Sequence, residues 1–479
     1  MQPLPRAKRR MIGVFTLSAW ALLLSGCASL PEKSALPSLA QPESLATAQS
    51  FTAPVAADWP SDGWWTQFGD PQLTRLIEEG LAGASELRVA EARLARATAT
   101  ISQARGALLP TVSANAEAGL TQQSENYLVP SGFAPRGWPD YGQASARMSW
   151  DLDFFGRNRA ALKAAKLDAS AAHAEAAATR LAIAAGIAES YAALSGLYSE
   201  QDAAGEAVTV RSRTVELLSE RERQGLENSG AVAQAQSALD SAQGQLLALD
   251  EAIALNRNAL AALMGAGPDR GRSITRPAAV PATAFALPAN IPAELLGRRP
   301  DIIAARLRTE AAASRIDQAE AAFYPNINLT ALIGLQALGI GDVFKAGSDF
   351  GSAGPALTLP IFDGGRLKGQ YRAAEADYAA AVGQYDGALV QALRDVADAA
   401  TSRRALDQRL QKAQAAQDAA QAAWTVANNR YRGGLATYLN VLAAEDTLIA
   451  ARREHASLQT RAFSLDVALV RALGGGFRS

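Results

Sequence analysis

Reactive side chains are scarce in these 479 residues. Cys27 is the only cysteine, and His173 and His455 are the only histidines. A lone thiol cannot close an intramolecular disulfide, and two histidines inside stretches that read as helix make no metal-ligand cluster. Asp151 and Asp153 resemble a metal-binding pair, but they alternate with Leu152 in a strand pattern and read as two carboxylates on one polar, lumen-facing side. Asn328-Leu329-Thr330 matches a glycosylation sequon, incidental behind the export signal described below. Gly339-Ile340-Gly341 lacks the third glycine and the following helix of a nucleotide loop. The sequence therefore reads as a protein without catalytic residues, metal or cofactor.

One chemical modification does have its setting. Arg6, Lys8, Arg9 and Arg10 precede an apolar run from Met11 to Leu24, followed by Leu24-Ser25-Gly26-Cys27. About 14 apolar residues fall short of the roughly 20 that span a bilayer, so the segment reads as a cleaved secretory signal and not as an anchor helix. A thiol directly after small residues suits acylation once cleavage exposes it, which makes Cys27 a lipid attachment point to the outer membrane. Ala28 follows it, and bacterial lipoproteins that lack Asp at this place generally go to that membrane. A net charge of −1 argues against a nucleic-acid partner.

The elements follow from period and punctuation. Trp64, Trp65 and Phe68 read as a loop packed on a helix that starts after Asp70, at Pro71, and runs to about Leu108, where Pro110 stops it. From Thr111 to Thr121 the period becomes two, with Val112, Ala114, Ala116, Ala118 and Leu120 against Ser113, Asn115, Glu117 and Gly119. Gln143 to Phe154 repeats the scheme. Between the two lies a loop holding Tyr127, Pro130, Phe133, Pro135, Trp138 and Tyr141, whose aromatics suit a membrane-water interface. Each strand has the length of a tilted bilayer-spanning strand, although one such pair alone is equally an ordinary hairpin with a solvated face. Gly156-Arg157 opens a long helix to about Gln224, and a second helix covers Ala231 to Met264.

The programme then runs again. A helix from about Ala293 to Phe323, a strand from Asn326 to Ala337 and a strand from Ala353 to Phe362 lead into a helix from Arg366 to Arg432, about 67 residues or on the order of 100 Å. Gly433-Gly434 ends it, and a last helix runs to Leu473. Gly156-Arg157 corresponds to Gly365-Arg366, and Gly225-Leu226 to Gly434-Leu435, at one constant offset of 209. This is an internal tandem duplication. The expected division is a signal peptide over 1–26, an extended acylated tether over 27–61, a first repeat over 62–264, a linker over 265–292, a second repeat over 293–474 and a tail over 475–479.

Four amphipathic strands cannot close a bilayer barrel, because the smallest need about eight and an open edge in lipid leaves backbone groups unsatisfied. The chain must oligomerise. Two copies give eight strands and a filled lumen, whereas three give twelve and leave room for water. The lumen side would carry Asn115, Glu117, Arg147, Asn328 and Thr330.

The whole mature chain resembles the TolC-like outer-membrane efflux channels. Its acylated cysteine is similar to that of the NodT-type lipoprotein branch that serves RND multidrug pumps. The carrying residues are Leu24-Ser25-Gly26-Cys27, Phe68-Gly69-Asp70-Pro71-Gln72-Leu73, Arg299-Pro300-Asp301-Ile302, Leu359-Pro360-Ile361-Phe362-Asp363-Gly364-Gly365-Arg366, and Tyr431-Arg432 with Gly434 and Tyr438-Leu439. The resemblance implies an α+β membrane protein, a homotrimer with a twelve-stranded transmembrane β-barrel, four strands per chain, continued by a long periplasmic α-helical barrel. The implied partners are a periplasmic adaptor and an inner-membrane RND pump. It also implies a gate of a Tyr-Arg pair, a leucine ring and an acidic ring near the second turn. Tyr431 and Arg432 match the pair and Leu439 the leucine, with Glu222 or Glu227 as acceptors for Arg432. Ala443 stands at the acidic position, which leaves Glu445 or Asp446 as candidates for the missing charge. The expected function is an exit duct for drugs or other small molecules. The alternative is the outer-membrane duct of a type I protein secretion system, and the lipid anchor favours efflux.

Overall fold

The computed structural model describes residues 30–41, 44–47, 58–122, 124, 133, 136–278, 288 and 291–478. The signal segment, Cys27 and, from the aromatic loop, Tyr127, Pro130 and Pro135 lie outside the described residues. The chain divides into two compact units: one of Met1–Leu39, Leu94–Ala171 and Ala305–Tyr385, the other of Ala40–Arg93, Ala172–Ala304 and Asp386–Ser479.

The first unit holds a four-stranded antiparallel meander in the order β1 to β4: β1 Thr111–Leu120, β2 Asp140–Asp151, β3 Asn326–Leu338 and β4 Asp349–Thr358. Two strands sit earlier than the alternation suggests, and the helices behind them explain why. Asp153 was expected to face the lumen beside Asp151, but it leaves the sheet with φ 48° and its carboxylate accepts from the backbone N–H groups of Asn158 and Arg159, both at 2.9 Å. It thereby caps α3 (Arg157–Arg223) and ends β2 at Asp151. Asp363 does the same for α8 (Arg366–Arg432), accepting from Leu367 N at 2.8 Å. Leu359, Ile361 and Phe362 consequently lie beyond β4 and are exposed, and Pro360 among them has no N–H for a ladder.

Residues 30–34 are not a free leash. Leu30 packs near Phe323, Leu367 and Tyr371, while Lys33 pairs with Glu320 at 3.2 Å. Glu375, only 4% exposed, accepts from Ser34 N at 3.0 Å, Ser34 Oγ at 2.9 Å and Arg372 at 2.7 Å. These donors hold the Glu375 carboxyl below its usual range against the cost of burial.

The second unit contains the largest core. A 3₁₀ turn, Trp64–Phe68, packs its rings with Leu73, Leu76 and Ile77 of α1 (Pro71–Gly83), Ile187 and Tyr191 of α3, Leu260 of α4 (Ser229–Leu263), and Phe463 and Val467 of α9 (Tyr438–Ala472). Asp70 caps α1, accepting from Gln72 N at 2.7 Å, and also takes the Tyr191 hydroxyl at 2.6 Å. Burial and that carboxylate push the Tyr191 hydroxyl well above its ordinary pKa.

The single helix expected up to Leu108 is two, α1 and α2 (Ser85–Gly106), broken at the extended Ala84. A Cβ on Gly83 would stand 2.6 Å from Met264 O, so two backbones meet there and the helix yields to that contact. The expected helix from Ala293 is likewise two, α6 (Ile291–Arg298) and α7 (Pro300–Ala321). Pro300 lacks the N–H that continuity requires, and buried Arg299 at the break reaches Asp301, Asp395 and Ala472 O. A short α5 (Pro268–Arg272) interrupts the linker.

Both long helices have 67 residues and both return helices, α4 and α9, have 35. The turns between them are the same motif. Gly225 and Gly434 adopt φ 71° and 69°, and the next residues, Leu226 and Leu435, donate N–H to Arg221 O and Arg430 O, each at 2.8 Å. This is a Schellman stop, for which glycine supplies the left-handed residue without strain.

Replacing Glu375 with Ala leaves the Ser34 N–H without its acceptor and should release the tether. Tryptic cleavage after Lys33 is then expected to accelerate several-fold while the remaining digestion pattern stays that of wild type.

Candidate channel face and tip

Residues paired directly across an antiparallel ladder share a face, so the register sorts the sheet. Asn115 lies opposite Ser145, Glu117 opposite Gln143, Ser113 opposite Arg147, and Asn328 opposite Asp151. The expected lumen residues Asn115, Glu117, Arg147 and Asn328 thus share one face, joined by Gln336, Thr330 and Ser352. The other face carries Val112, Ala114, Ala146, Met148, Ile333, Leu335 and Leu357. Leu332 opposite Arg147, Leu338 opposite Tyr141 and Phe350 opposite Gly334 are large apolar residues on the polar side. Glu117 accepts the Tyr141 hydroxyl, and Ser149 donates to Asn328 Oδ1 at 3.1 Å. The edges β1 and β4 have no partner strand among the described residues.

At the turns the side chains sort differently from expectation. Tyr431, on the last turn of α8, is 3% exposed and lies among Leu218, Ala235, Tyr438 and Val441. Its hydroxyl donates to Glu227 Oε2 at 2.9 Å, and the Arg221 guanidinium sits 4.8 Å above its ring. Burial, with the Glu227 carboxylate, pushes the Tyr431 pKa up to about 12. Of the two acceptors expected for Arg432, Glu227 takes the Tyr431 hydroxyl instead, and Arg432 is exposed with neither Glu227 nor Glu222 nor any other carboxylate in ion-pair reach among the described residues. Glu222 is half-buried. Leu439 is 62% exposed, as are the turn residues Leu226 at 62% and Leu435 at 73%.

Glu445 and Asp446 are not loose charges. Asp446 takes Arg211 at 2.6 Å, and Glu445, 1% exposed, faces the same guanidinium at 3.5 Å. Arg211 escaped the sequence reading, although a signal existed. Its counterpart at the repeat offset of 209 is Ala420, a buried position, so an arginine stands where the other half has a small apolar residue.

A bilayer-length sheet with one polar and one apolar face, both edges open, together with helices of 67 residues, defines one subunit of an oligomeric membrane channel. The chain belongs to the outer membrane efflux protein family, whose sequence profile matches residues 76–266 and 291–475. It is 36% identical to the fusaric acid resistance protein FusA of Burkholderia cepacia over 367 residues, 75% of this chain and 68% of that protein. It is 31% identical to the multidrug resistance outer membrane protein MdtP of Escherichia coli over 476 residues, 95% of each. The outer membrane protein VceC of Vibrio cholerae has the same fold, with a TM-score of 0.84 and 46% identity over 88% of this chain and all of that one. The protein is an outer-membrane efflux channel with the TolC-like α+β fold.

Tyr431→Phe removes the hydrogen bond to Glu227, worth about 0.5 to 1.5 kcal/mol, and Arg432→Ser removes an exposed cation at the turn. The double variant should raise single-channel conductance and antibiotic leak. Arg404→Ser, at an exposed position of mid-α8, should do neither. Arg403 cannot serve as that control, because it holds buried Asp466 at 3.0 Å.

Proposed function

We propose that three copies of this chain form the outer-membrane exit duct of a tripartite RND-type efflux system. A periplasmic adaptor and an inner-membrane pump deliver drugs or other small molecules, which leave through the polar side of the sheet. The observation that carries this reading is the in-phase four-stranded sheet with two open edges. Two copies close eight strands around packed side chains, whereas three close twelve around water. FusA and MdtP are both named for resistance to small molecules, which favours efflux over the secretion of proteins.

In this reading Tyr431, Arg432 and Leu439 form the closed inner tip, with Glu227 as the partner of Tyr431. Leu439, Leu226 and Leu435 supply exposed apolar surface for a constriction that resists wetting. Glu222 flanks the same turn. Cys27 carries acyl chains that hold each subunit to the outer membrane. Leu30, three residues on, is already fixed to the helices, so the anchor is short.

Detergent-solubilised protein should run as a trimer by light scattering after subtraction of the micelle, and mature Cys27 should carry acyl mass. A monomer that inserts and conducts would reject the trimeric duct, and an unmodified mature Cys27 would reject the anchor. Deleting the chain should sensitise cells to small toxic compounds without stopping export of secreted proteins.

A further inference from the structure

Glu445 lies on α9, in the second unit. It is 1% exposed, and neither carboxylate oxygen has a hydrogen-bond donor among the described residues. The terminal nitrogens of the neighbouring Arg211 are engaged elsewhere. One terminal nitrogen donates to Ala238 O of α4 at 2.8 Å, the other to Asp446 of α9 at 2.6 Å, and only Nε faces Glu445, at 3.5 Å and outside hydrogen-bonding geometry. One cation of α3 thus serves two carboxylates of α9, and the buried one receives the poorer share.

The remaining polar groups around it do not change that balance. Tyr438 of α9 adds a hydroxyl, and Tyr431 of α8 has already committed its own to Glu227. From α4 the contribution is a backbone carbonyl. A buried carboxylate left with surplus negative charge favours its protonated form.

We propose that Arg211 and Glu445 form a proton-responsive clasp, which ties α9 to α3 and α4 more firmly when Glu445 takes up a proton. For transport, the inference rests on the exit-duct reading; for the clasp itself, it does not. Burial pushes Glu445 up to about 7 from its ordinary 4.5, with Arg211 opposing and Asp446 adding to the shift. The sign follows from linkage. The packed tip holds a proton that a water-exposed Glu445 would release anywhere between those two values, so packing weakens as pH rises from 4.5 to 7 and is constant outside that window. Acid tightens this tip. An ordinary surface ion pair would respond in the opposite sense, loosening as its carboxylate is protonated. Within the window the packed-to-separated ratio should change about tenfold per pH unit and per chain.

The test uses the full trimeric protein. Single-channel conductance in planar bilayers between about pH 5 and 8 should show open events becoming rarer towards acid, and Glu445→Gln, which mimics the protonated form, should be rarely open at every pH. Hydrogen exchange of the segment 438–446, compared between wild type and Glu445→Gln at each pH, should show excess opening in wild type that grows to pH 7 and vanishes near pH 5. Arg211→Gln should loosen the segment at all pH values. Identical pH profiles for wild type and Glu445→Gln in the exchange experiment would overturn the clasp. A protein that shows the exchange difference but never conducts would leave the clasp standing and reject the duct.

Discussion

Lipid offers no hydrogen bonds, so a backbone placed in it must find every partner within protein. This sheet satisfies its own N–H and C=O groups between β1 and β4 and leaves both outer edges bare. Those edges dictate the assembly, because among the described residues no strand of the same chain completes β4, and a strand of a neighbouring copy can. The in-phase faces then follow as a requirement. A slip of one residue in any ladder would turn Glu117 or Arg147 towards lipid and Ile333 towards water, so register and membrane insertion are one constraint.

The turns obey a different physics, in which no single interaction is strong. Tyr431 is held by packing, one hydrogen bond to Glu227 and one guanidinium over its ring. Each is worth on the order of a kcal/mol, so the conformation of this turn rests on several small contributions. Arg211 differs in joining three helices at once, from α3 to the Ala238 carbonyl of α4 and to Asp446 and Glu445 of α9. It has no counterpart in the other half, where the equivalent position is Ala420: the two repeats share a backbone plan but not this side chain.

Much of the architecture was legible because it depends on period and punctuation. Alternation in 111–120, the paired glycines and the constant offset of 209 give strands, turns and repeat directly. The missed details belong to contacts distant in sequence. Alternation continued through Leu359 and Ile361, and nothing local showed that Asp363 would be drawn into capping α8. Ala84 breaks a helix because Gly83 meets the backbone of Met264, some 180 residues away. Residues 30–40 looked like a leash because their Ser and Pro content is all that composition records, whereas the buried acceptor that fixes them, Glu375, lies on α8. The pairing of Glu227 with Tyr431 in place of Arg432 is a choice between adjacent residues that helical phase decides and composition does not.

The equality of the long helices has a mechanical meaning. Each of α3 and α8 spans 67 residues from a carboxylate cap at the strand end to a Schellman glycine at the turn. Adding one turn to α3 alone would displace its glycine by about 5.4 Å from the helix it must meet, and Tyr431 would face a different residue from Glu227. The pair therefore works as a matched gauge, in which length changes only by simultaneous insertion in both copies. Any natural variation in the reach of such channels should come in paired steps, recorded twice in the same gene.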